Sequence, residues 1–236
     1  MHELFGMKLY FSDALPIGYV ILYIPLVLLF LFICYRLILK RIPVAWMRRG
    51  TVLLILITLS AAPWWDVYRL SSEATRLCVE QGGLHVYKKE KAEGFIGSSS
   101  IQYWSKYGFN YLEGGDERNK FRWTISNGNV LREKIQDFKS QYILKITKNN
   151  KPITNYFRKS IYQVNELNSG EELGNLVIFR IHPTIIDTVL LNIFGGSIIF
   201  WDCGNVVSAG KGSSVPISAK YIYGPNDLIK ATLIPK

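Results

Sequence analysis

Two long runs without charge constrain this chain more than any other feature of its sequence. The first covers residues 17–35, IGYVILYIPLVLLFLFICY, and continues to Leu39 with Arg36 as its only charge. At about 1.5 Å per residue, a helix over residues 17–39 crosses the ~30 Å hydrocarbon core of a bilayer. Arg36 lies near the end of the run, where its long side chain can reach the headgroups. We therefore predict a first transmembrane helix over residues 17–39.

The second run covers residues 50–65, GTVLLILITLSAAPWW, and is slightly short for a membrane span. Its terminal Trp64 and Trp65 are typical of the aromatic belt at a membrane surface, so we predict a second transmembrane helix over residues 50–65. An alternative interpretation is a signal peptide, cleaved after the small residues 60–62. The internal position of the run, behind another apolar run, and Pro63 directly after the cut argue against cleavage.

The charges beside these runs predict how the helix pair is oriented. The connector over residues 40–49 contains four basic residues and no acid, and Arg36 adds a fifth basic residue on the same side. The flanks at the opposite ends are nearly balanced. Because short basic loops remain in the cytoplasm, we expect the connector there and residues 66–236 on the outer side. In a Gram-negative cell this predicts a multi-pass inner-membrane protein with its soluble domain in the periplasm.

The remaining sequence predicts one soluble α+β domain over residues 66–236, preceded by a tail (1–16) and the transmembrane hairpin (17–65). Apolar residues at spacings of three and four predict a short amphipathic helix over 66–80, continuing out of the membrane and ended by Gly82 and Gly83. β-Branched and aromatic residues dominate beyond it, and turn residues are frequent. We therefore expect a mainly antiparallel β-sheet. The predicted strands are LHVYKKEK (84–91), YILKIT (142–147), IYQVNEL (161–167), LVIFRI (176–181) and SAKYIYG (218–224).

Three segments are harder to assign. Residues 98–108 favour one or two helical turns after a serine cap, and residues 109–125 favour two extended pieces around the turn 114–116. The apolar segments TIIDTVLLNIF (184–194) and GSIIFWDC (196–203) fit either a strand or a buried helix, because periodicity alone does not separate the two for short apolar runs.

The cysteines predict a disulfide bond. Cys34 lies inside the first apolar run, whereas Cys78 and Cys203 both lie in the segment assigned to the oxidising side. Disulfides form and persist in such compartments, so a Cys78–Cys203 bond is the favoured interpretation. The alternative is that Cys203 is a nucleophile paired with His85 or His182, but no flanking signature supports that chemistry.

No catalytic, metal or cofactor motif stands out. Neither His85 nor His182 has a second ligand at the helical spacing of three or four residues, so we predict no metal site and no cofactor. The carboxylates Glu113, Asp116 and Glu117 favour a solvated turn over an acid–base pair or a calcium site. The catalytic residues, if any exist, are unknown, and the sequence favours a non-enzymatic function.

The net charge of +10 comes from scattered basic residues, with no block of five like charges. We therefore expect no nucleic-acid partner. A basic surface is compatible with anionic lipid headgroups, and the expected partners are the lipid bilayer and another envelope protein.

One stretch resembles a known group of proteins. The segment CVEQGGLHVYK, residues 78–88, is similar to a motif of uncharacterised bacterial inner-membrane proteins in which a membrane hairpin precedes a C-x-x-[DN]-G-G-x-x-V-Y-E-T-like segment. The matching residues are Cys78, Gly82, Gly83, Val86 and Tyr87. Here Gln81 stands in the acidic or amide position, and Lys88 replaces the acid after the tyrosine. The resemblance implies a bacterial source and an inner-membrane location, and it assigns no particular activity to the chain.

These observations lead to one preferred function and two alternatives. We expect a membrane-anchored envelope protein with a periplasmic domain that binds another protein or a ligand. One alternative is an envelope enzyme that acts on cell-wall or lipid material. The other is a membrane-perturbing defence effector with a sensor domain, which requires the domain in the cytoplasm and is opposed by the charges of residues 40–49.

Overall fold

The structure is a computed structural model that describes residues 2–4, 7–37, 44–98, 100–196, 200–203 and 224–236. The chain divides into two compact units. The first contains residues 1–76 and 181–201, and the second contains residues 77–180 and 202–236. Residues 181–201 thus group with the N-terminal helices, whereas the sequence analysis assigned them to the soluble domain.

The first unit contains two helical segments that are long and apolar enough to cross a membrane. The first comprises helix α1 (Ala14–Gly18), a π-helical turn (Tyr19–Tyr23) and helix α2 (Ile24–Leu37). The π-helical turn directly precedes Pro25, which lacks the N–H that would bond the carbonyl of Ile21. The apolar helix pair predicted from the sequence is confirmed.

The second segment is the single helix α3, Ala45–Glu80, with Pro63 in its interior. It joins the predicted span over 50–65 to the predicted amphipathic helix over 66–80 without a break. The helix ends before Gly83, which has a φ of +115°. A side chain rarely adopts this conformation, so glycine allows the chain to turn into the next strand.

The rest of the first unit is small. Strands β1 (His2–Leu4) and β2 (Met7–Leu9) pair antiparallel, and helix α5 (Ile185–Ile193) returns to pack on α1. Their shared core contains Phe11, Leu15, Val67 and Leu190, and Leu9, Leu22, Trp64 and Ile186 pack against it.

The second unit is built on a nine-stranded sheet with the order β12-β11-β10-β9-β5-β6-β7-β8, in which β3 also pairs with β11. Its strands are β3 (Gly83–Val86), β5 (Gly94–Ile96), β6 (Tyr111–Gly115), β7 (Lys120–Ser126), β8 (Asn129–Ile135), β9 (Tyr142–Pro152), β10 (Phe157–Glu166), β11 (Glu172–Ile181) and β12 (Trp201–Cys203). Strands β4 (Glu90–Ala92) and β13 (Leu233–Pro235) form a separate parallel pair. Helices α4 (Ile101–Trp104) and α6 (Pro225–Thr232) complete the unit.

Most strand pairs in the large sheet are antiparallel, including β6–β7, β7–β8, β9–β10 and β3–β11. Strand β5 is the exception, since it runs parallel to both β6 and β9. The predicted class, an α+β chain with an apolar helix pair and a mainly antiparallel sheet, is therefore confirmed.

The core of the second unit lies between the sheet and helices α4 and α6. Trp104, the largest side chain in it, and Phe95 meet edge to face with their ring centroids 5.1 Å apart. Leu112, Leu176 and Leu228 are fully buried in the same cluster. Burial of aromatic and branched side chains at alternating strand positions accounts for the two-residue period seen in the sequence.

The ambiguous segments resolve as follows. Residues 101–107 form a helical turn and a short 3-10 helix, and residues 111–115 and 120–126 form two antiparallel strands, both as predicted. Residues 185–193 form a helix, one of the two predicted alternatives, but it is only partly buried, because Ile185, Val189 and Ile193 are exposed. The predicted strand over 218–224 lies outside the described residues except for Gly224, the N-cap of α6.

Candidate functional site

The segment that carries the motif resemblance forms the edge of the large sheet. Strand β3 pairs with β11 in the register Leu84↔Leu176 and Val86↔Gly174. The backbone N–H groups of Tyr87 and Lys88 both donate to the carbonyl of Leu173, at 2.9 and 3.0 Å. The glycines turn the chain and the strand completes the sheet edge, so this part of the motif has a structural role.

Tyr87 is the motif residue that is most open to a partner. Its side chain is 63% exposed, and its hydroxyl accepts a hydrogen bond from Asn175 Nδ2 at 3.0 Å. Asn175 also donates to Glu172, which in turn accepts from Gln163. These side chains form a hydrogen-bonded chain on the sheet surface. The arrangement can present a phenol ring to a ligand, but it holds no group poised for proton transfer.

The next residue, Lys88, joins two acidic side chains. Its ammonium group lies 3.1 Å from a carboxylate oxygen of Glu90 and 3.1 Å from one of Glu171. Hydrogen bonds to Glu90 and Glu171 raise the pKa of Lys88. The lysine therefore stays charged at all physiological pH values and is not suited to act as a base.

The two cysteines of the second unit lie at disulfide distance. Cys78 is near the end of α3 and Cys203 ends β12, and their Cα atoms are 5.7 Å apart, within the usual range of 4.4–6.8 Å for disulfides. A bond here closes a sequence separation of 125 residues. Because the sulfur of Cys203 faces Cys78, the arrangement favours the predicted disulfide over the nucleophile. Cys34 is a free thiol within α2.

The histidines are not brought together. His85 lies on β3 opposite Asn175 in the second unit, and His182 lies in the first unit with its ring 4.7 Å from Phe200. Among the residues that the structure describes, no cluster of three histidine, cysteine or acidic side chains is arranged to hold a metal ion.

For Glu113, the predicted environment is wrong. This residue does not belong to a solvated turn but lies fully buried in β6. Its carboxylate accepts hydrogen bonds from Arg122 Nε at 2.8 Å and Nη2 at 2.6 Å, and from the N–H groups of Lys139 and Ser140. Burial opposes its ionisation, but the hydrogen bonds from Ser140, Arg122 and Lys139 outweigh it and hold the pKa of Glu113 below its ordinary value.

The other two carboxylates do lie in an exposed turn. Asp116 accepts hydrogen bonds from the N–H groups of Arg118 and Asn119, at 2.9 and 2.7 Å, and this fixes the β6–β7 connection. Both Asp116 and Glu117 are exposed. The pattern that could have separated Glu113 from them is its place in a strand two residues from Tyr111, on the same face of β6.

A shallow pocket of about 140 Å³ opens beside these elements, lined by Glu93, Tyr111, Lys139, Tyr142 and Lys236 among others. Ligand pockets usually measure at least ~300 Å³, so this pocket is small for an organic substrate. Lys139 and Glu93 form an ion pair of 3.0 Å at its mouth. Its small volume does not indicate a binding site for an organic ligand.

The most distinctive surface of the second unit is the hairpin of β9 and β10, which we call the basic hairpin (residues 142–166). Between Tyr142 and Asn165 it contains five basic residues and no acid. Lys145 and Arg158 are exposed, and Lys159 stands opposite Lys151 in the strand register. The hairpin is therefore a basic part of the domain surface.

Exposed apolar side chains accompany these charges. Ile146 is 56% exposed and Ile153 is 46% exposed. Lys159 Nζ donates a hydrogen bond to Gln81 Oε1 at 3.3 Å and lies 5.3 Å from the ring centroid of Phe179. The exposed side chains of Lys145 and Arg158 are therefore the ones that an external partner could contact. The hairpin thus exposes both basic and apolar side chains.

Comparison with known proteins gives no relative: no family model, no curated protein and no solved structure matches this chain.

Proposed function

We propose that this chain is a membrane-anchored envelope protein whose sheet domain lies outside the cytoplasm and binds an acidic surface of another envelope protein. The anchor is the pair of apolar helices, 14–37 and 45–80. The bacterial inner membrane and the periplasm are the compartments that the basic connector and the motif resemblance favour. No step of this proposal requires a catalytic group.

The disulfide-distance pair supports the location. Cys78 lies at the end of α3, beyond the second apolar run, and Cys203 ends β12; both belong to the second unit, and their Cα atoms are 5.7 Å apart. Such bonds persist in oxidising compartments and are rare in the cytoplasm. This observation agrees with the orientation inferred independently from the basic residues of the connector, 40–49.

The observation that carries the binding function is the basic hairpin. It contains five basic residues against one acid, Glu166 at its end, and Ile146 and Ile153 are exposed on the same hairpin. Complementary charges speed association and exclude wrong partners, and apolar contacts at the centre of an interface stabilise the complex. An acidic protein surface with an apolar centre satisfies both features.

The location is tested with two reporters fused in turn after Lys236 of the full chain. A phosphatase that requires export should be active there. A fluorescent protein that folds only in the cytoplasm should be dark. The reverse pattern would refute the proposed side of the membrane.

Binding is tested by placing a photoreactive amino acid at Ile146 of the full chain in cells. We expect a crosslink to an envelope protein through an acidic peptide, and we expect the double variant K145E/R158E to abolish it. The variant K134E changes an exposed lysine on β8 and serves as the matched control, which should leave the crosslink intact. Adducts to phospholipid alone, or a crosslink that survives K145E/R158E, would refute the proposed interaction.

A further inference from the structure

Helix α5 is mainly apolar on its exposed side as well as on its buried side, unlike a surface helix of a soluble protein. Its buried side contains Asp187, Leu190 and Leu191. Its exposed side contains Ile185 at 67%, Val189 at 49% and Ile193 at 54%. These three residues are spaced by four, so they form one continuous apolar stripe.

The stretch of sequence that contains this stripe is poor in charge. Asp187 is the only charged residue between Pro183 and Gly196, and it is fully buried. Phe194 directly follows the helix and is 45% exposed. A soluble surface helix places charged and polar residues on its open face, whereas here the open face is apolar.

The position of α5 within the first unit indicates what covers this stripe. A Cβ atom on Gly18 of α1 would lie 2.6 Å from Leu190 Cδ2, so the two helices are in close contact. Leu190 packs in one cluster with Leu15 and Val67. Leu15 lies at the start of the first apolar helix and Val67 follows the second apolar run, so α5 lies at the ends opposite the connector.

Aromatic side chains lie at the same ends of the two apolar helices as α5. Trp64 lies edge to face with Tyr19, at 5.6 Å between ring centroids, and with Phe11, also at 5.6 Å. Tryptophan and tyrosine concentrate where a transmembrane helix leaves the hydrocarbon core. Trp64 packs against the cluster that contains Leu190, so α5 lies at this membrane surface.

We propose that α5 is a third membrane-contacting element, which lies in the bilayer surface with Ile185, Val189, Ile193 and Phe194 among the acyl chains. Its nine residues extend only ~14 Å, which is too short to cross the ~30 Å core. An apolar face at this depth is the usual arrangement of an interfacial helix. This inference rests on the proposed membrane anchoring of the two long helices.

The test uses the full chain, reconstituted in vesicles of phosphatidylcholine and phosphatidylglycerol. A fluorescent amino acid replaces Val189, and lipids with a nitroxide on the acyl chain are added as quenchers. Two positions serve as references: Leu29, which is 55% exposed on α2, and Glu133, which is exposed on β8 of the sheet. Ile185 provides a second position on the α5 stripe.

We expect quenching at positions 189 and 185 to reach at least about half of that at position 29, as for a helix that inserts its apolar face. Quenching at the level of position 133, with position 29 strongly quenched, would show that a protein or a second copy covers the stripe and would overturn the inference. Absence of quenching at position 29 would instead overturn the membrane anchoring itself. A cooperative thermal transition of each labelled protein shows that it is folded.

Discussion

The carboxylate of Asp187 accepts a hydrogen bond from the backbone N–H of Ser12 at 2.9 Å, and its other oxygen accepts from the hydroxyl of the same serine. The two residues are separated by 175 positions in sequence, and both are buried. This contact joins the segment before the first apolar helix to helix α5. It explains why a charged residue is present in an otherwise apolar stretch.

Replacement of Asp187 by alanine should destabilise the first unit. The N–H of Ser12 would remain buried without its acceptor, and such a group costs about 1–3 kcal/mol. The variant D187N keeps an acceptor oxygen and should lose less. Thermal unfolding of the full chain in detergent measures both changes. Equal losses for D187A and D187N would contradict the hydrogen-bonding role.

Asp187 should also give the stability a pH dependence. Burial raises the pKa of Asp187 above its ordinary value, although the hydrogen bonds from Ser12 oppose this. A carboxyl group whose folded pKa is raised stabilises the fold when it is protonated. Its contribution is therefore full below the unfolded pKa and is lost as the pH rises through the folded value. The melting temperature of D187N, compared with that of the natural chain, should change less over this range.

The sequence predicted the helix pair and the antiparallel sheet because their signals are local. The apolar run over residues 17–35 is enough to predict a membrane-spanning helix, and the apolar residues of 176–181 are enough to predict a strand. Helix α5 was not assigned because a nine-residue, mainly apolar segment fits a strand or a helix equally well. Its exposed face follows from contacts with Gly18 and Leu15, which are distant in sequence.

The burial of Glu113 also could not be predicted from the sequence. The glycines and acids that follow it predict a turn, and that turn exists, but it begins after Gly115. The cation that makes burial of Glu113 possible is Arg122, which stands opposite it in the β6–β7 register. Register depends on the turn geometry, so this pairing could not be derived from composition.

The buried ion pair of Glu113 and Arg122 gives a prediction with an internal control. The variant E113Q leaves Arg122 without its buried partner and should destabilise the sheet unit by about 3 kcal/mol. Glu133 also contacts Arg122, at 3.4 Å, but its side chain is 63% exposed. The variant E133Q should therefore cost less than about 1 kcal/mol. Chemical denaturation of the full chain compares the two, and similar losses would contradict a structural role for burial at Glu113.

The lowered pKa of Glu113 predicts the opposite pH dependence to that of Asp187. Its stabilising contribution is present above the unfolded pKa of a glutamate and is lost as the pH falls through the lower folded value. The sheet unit should therefore unfold at acidic pH. E113Q should show a smaller loss on acidification, measured by tryptophan fluorescence, than the natural chain.

The pairing of Cys78 with Cys203 predicts a disulfide in protein prepared from cells with an oxidising envelope. Non-reduced proteolytic peptides should contain the linked pair, whereas Cys34 should be alkylated without reduction. The variant C78A/C203A should be less stable by about 2–4 kcal/mol, because the bond constrains a long loop in the unfolded chain. Alkylation of both Cys78 and Cys203 without a reductant would refute the bond and restore the hypothesis of a reactive Cys203.

Alanine substitutions at Gly18 and Gly50 distinguish the effect of side-chain packing on stability from the effect of helix propensity. Alanine at Gly18 would place its Cβ 2.6 Å from Leu190 Cδ2, so α1 and α5 must move apart or Leu190 must change its conformation. Alanine at Gly50 meets no atom within 4 Å and should stabilise α3 by about 0.5–1 kcal/mol, as alanine favours a helix. We expect G18A to be destabilised by about 1–3 kcal/mol, the usual cost of an overpacked contact. The variant L190A removes the clashing atoms, so G18A should cost less in its presence. If G18A and G50A raise the melting temperature alike, α5 is not packed on α1.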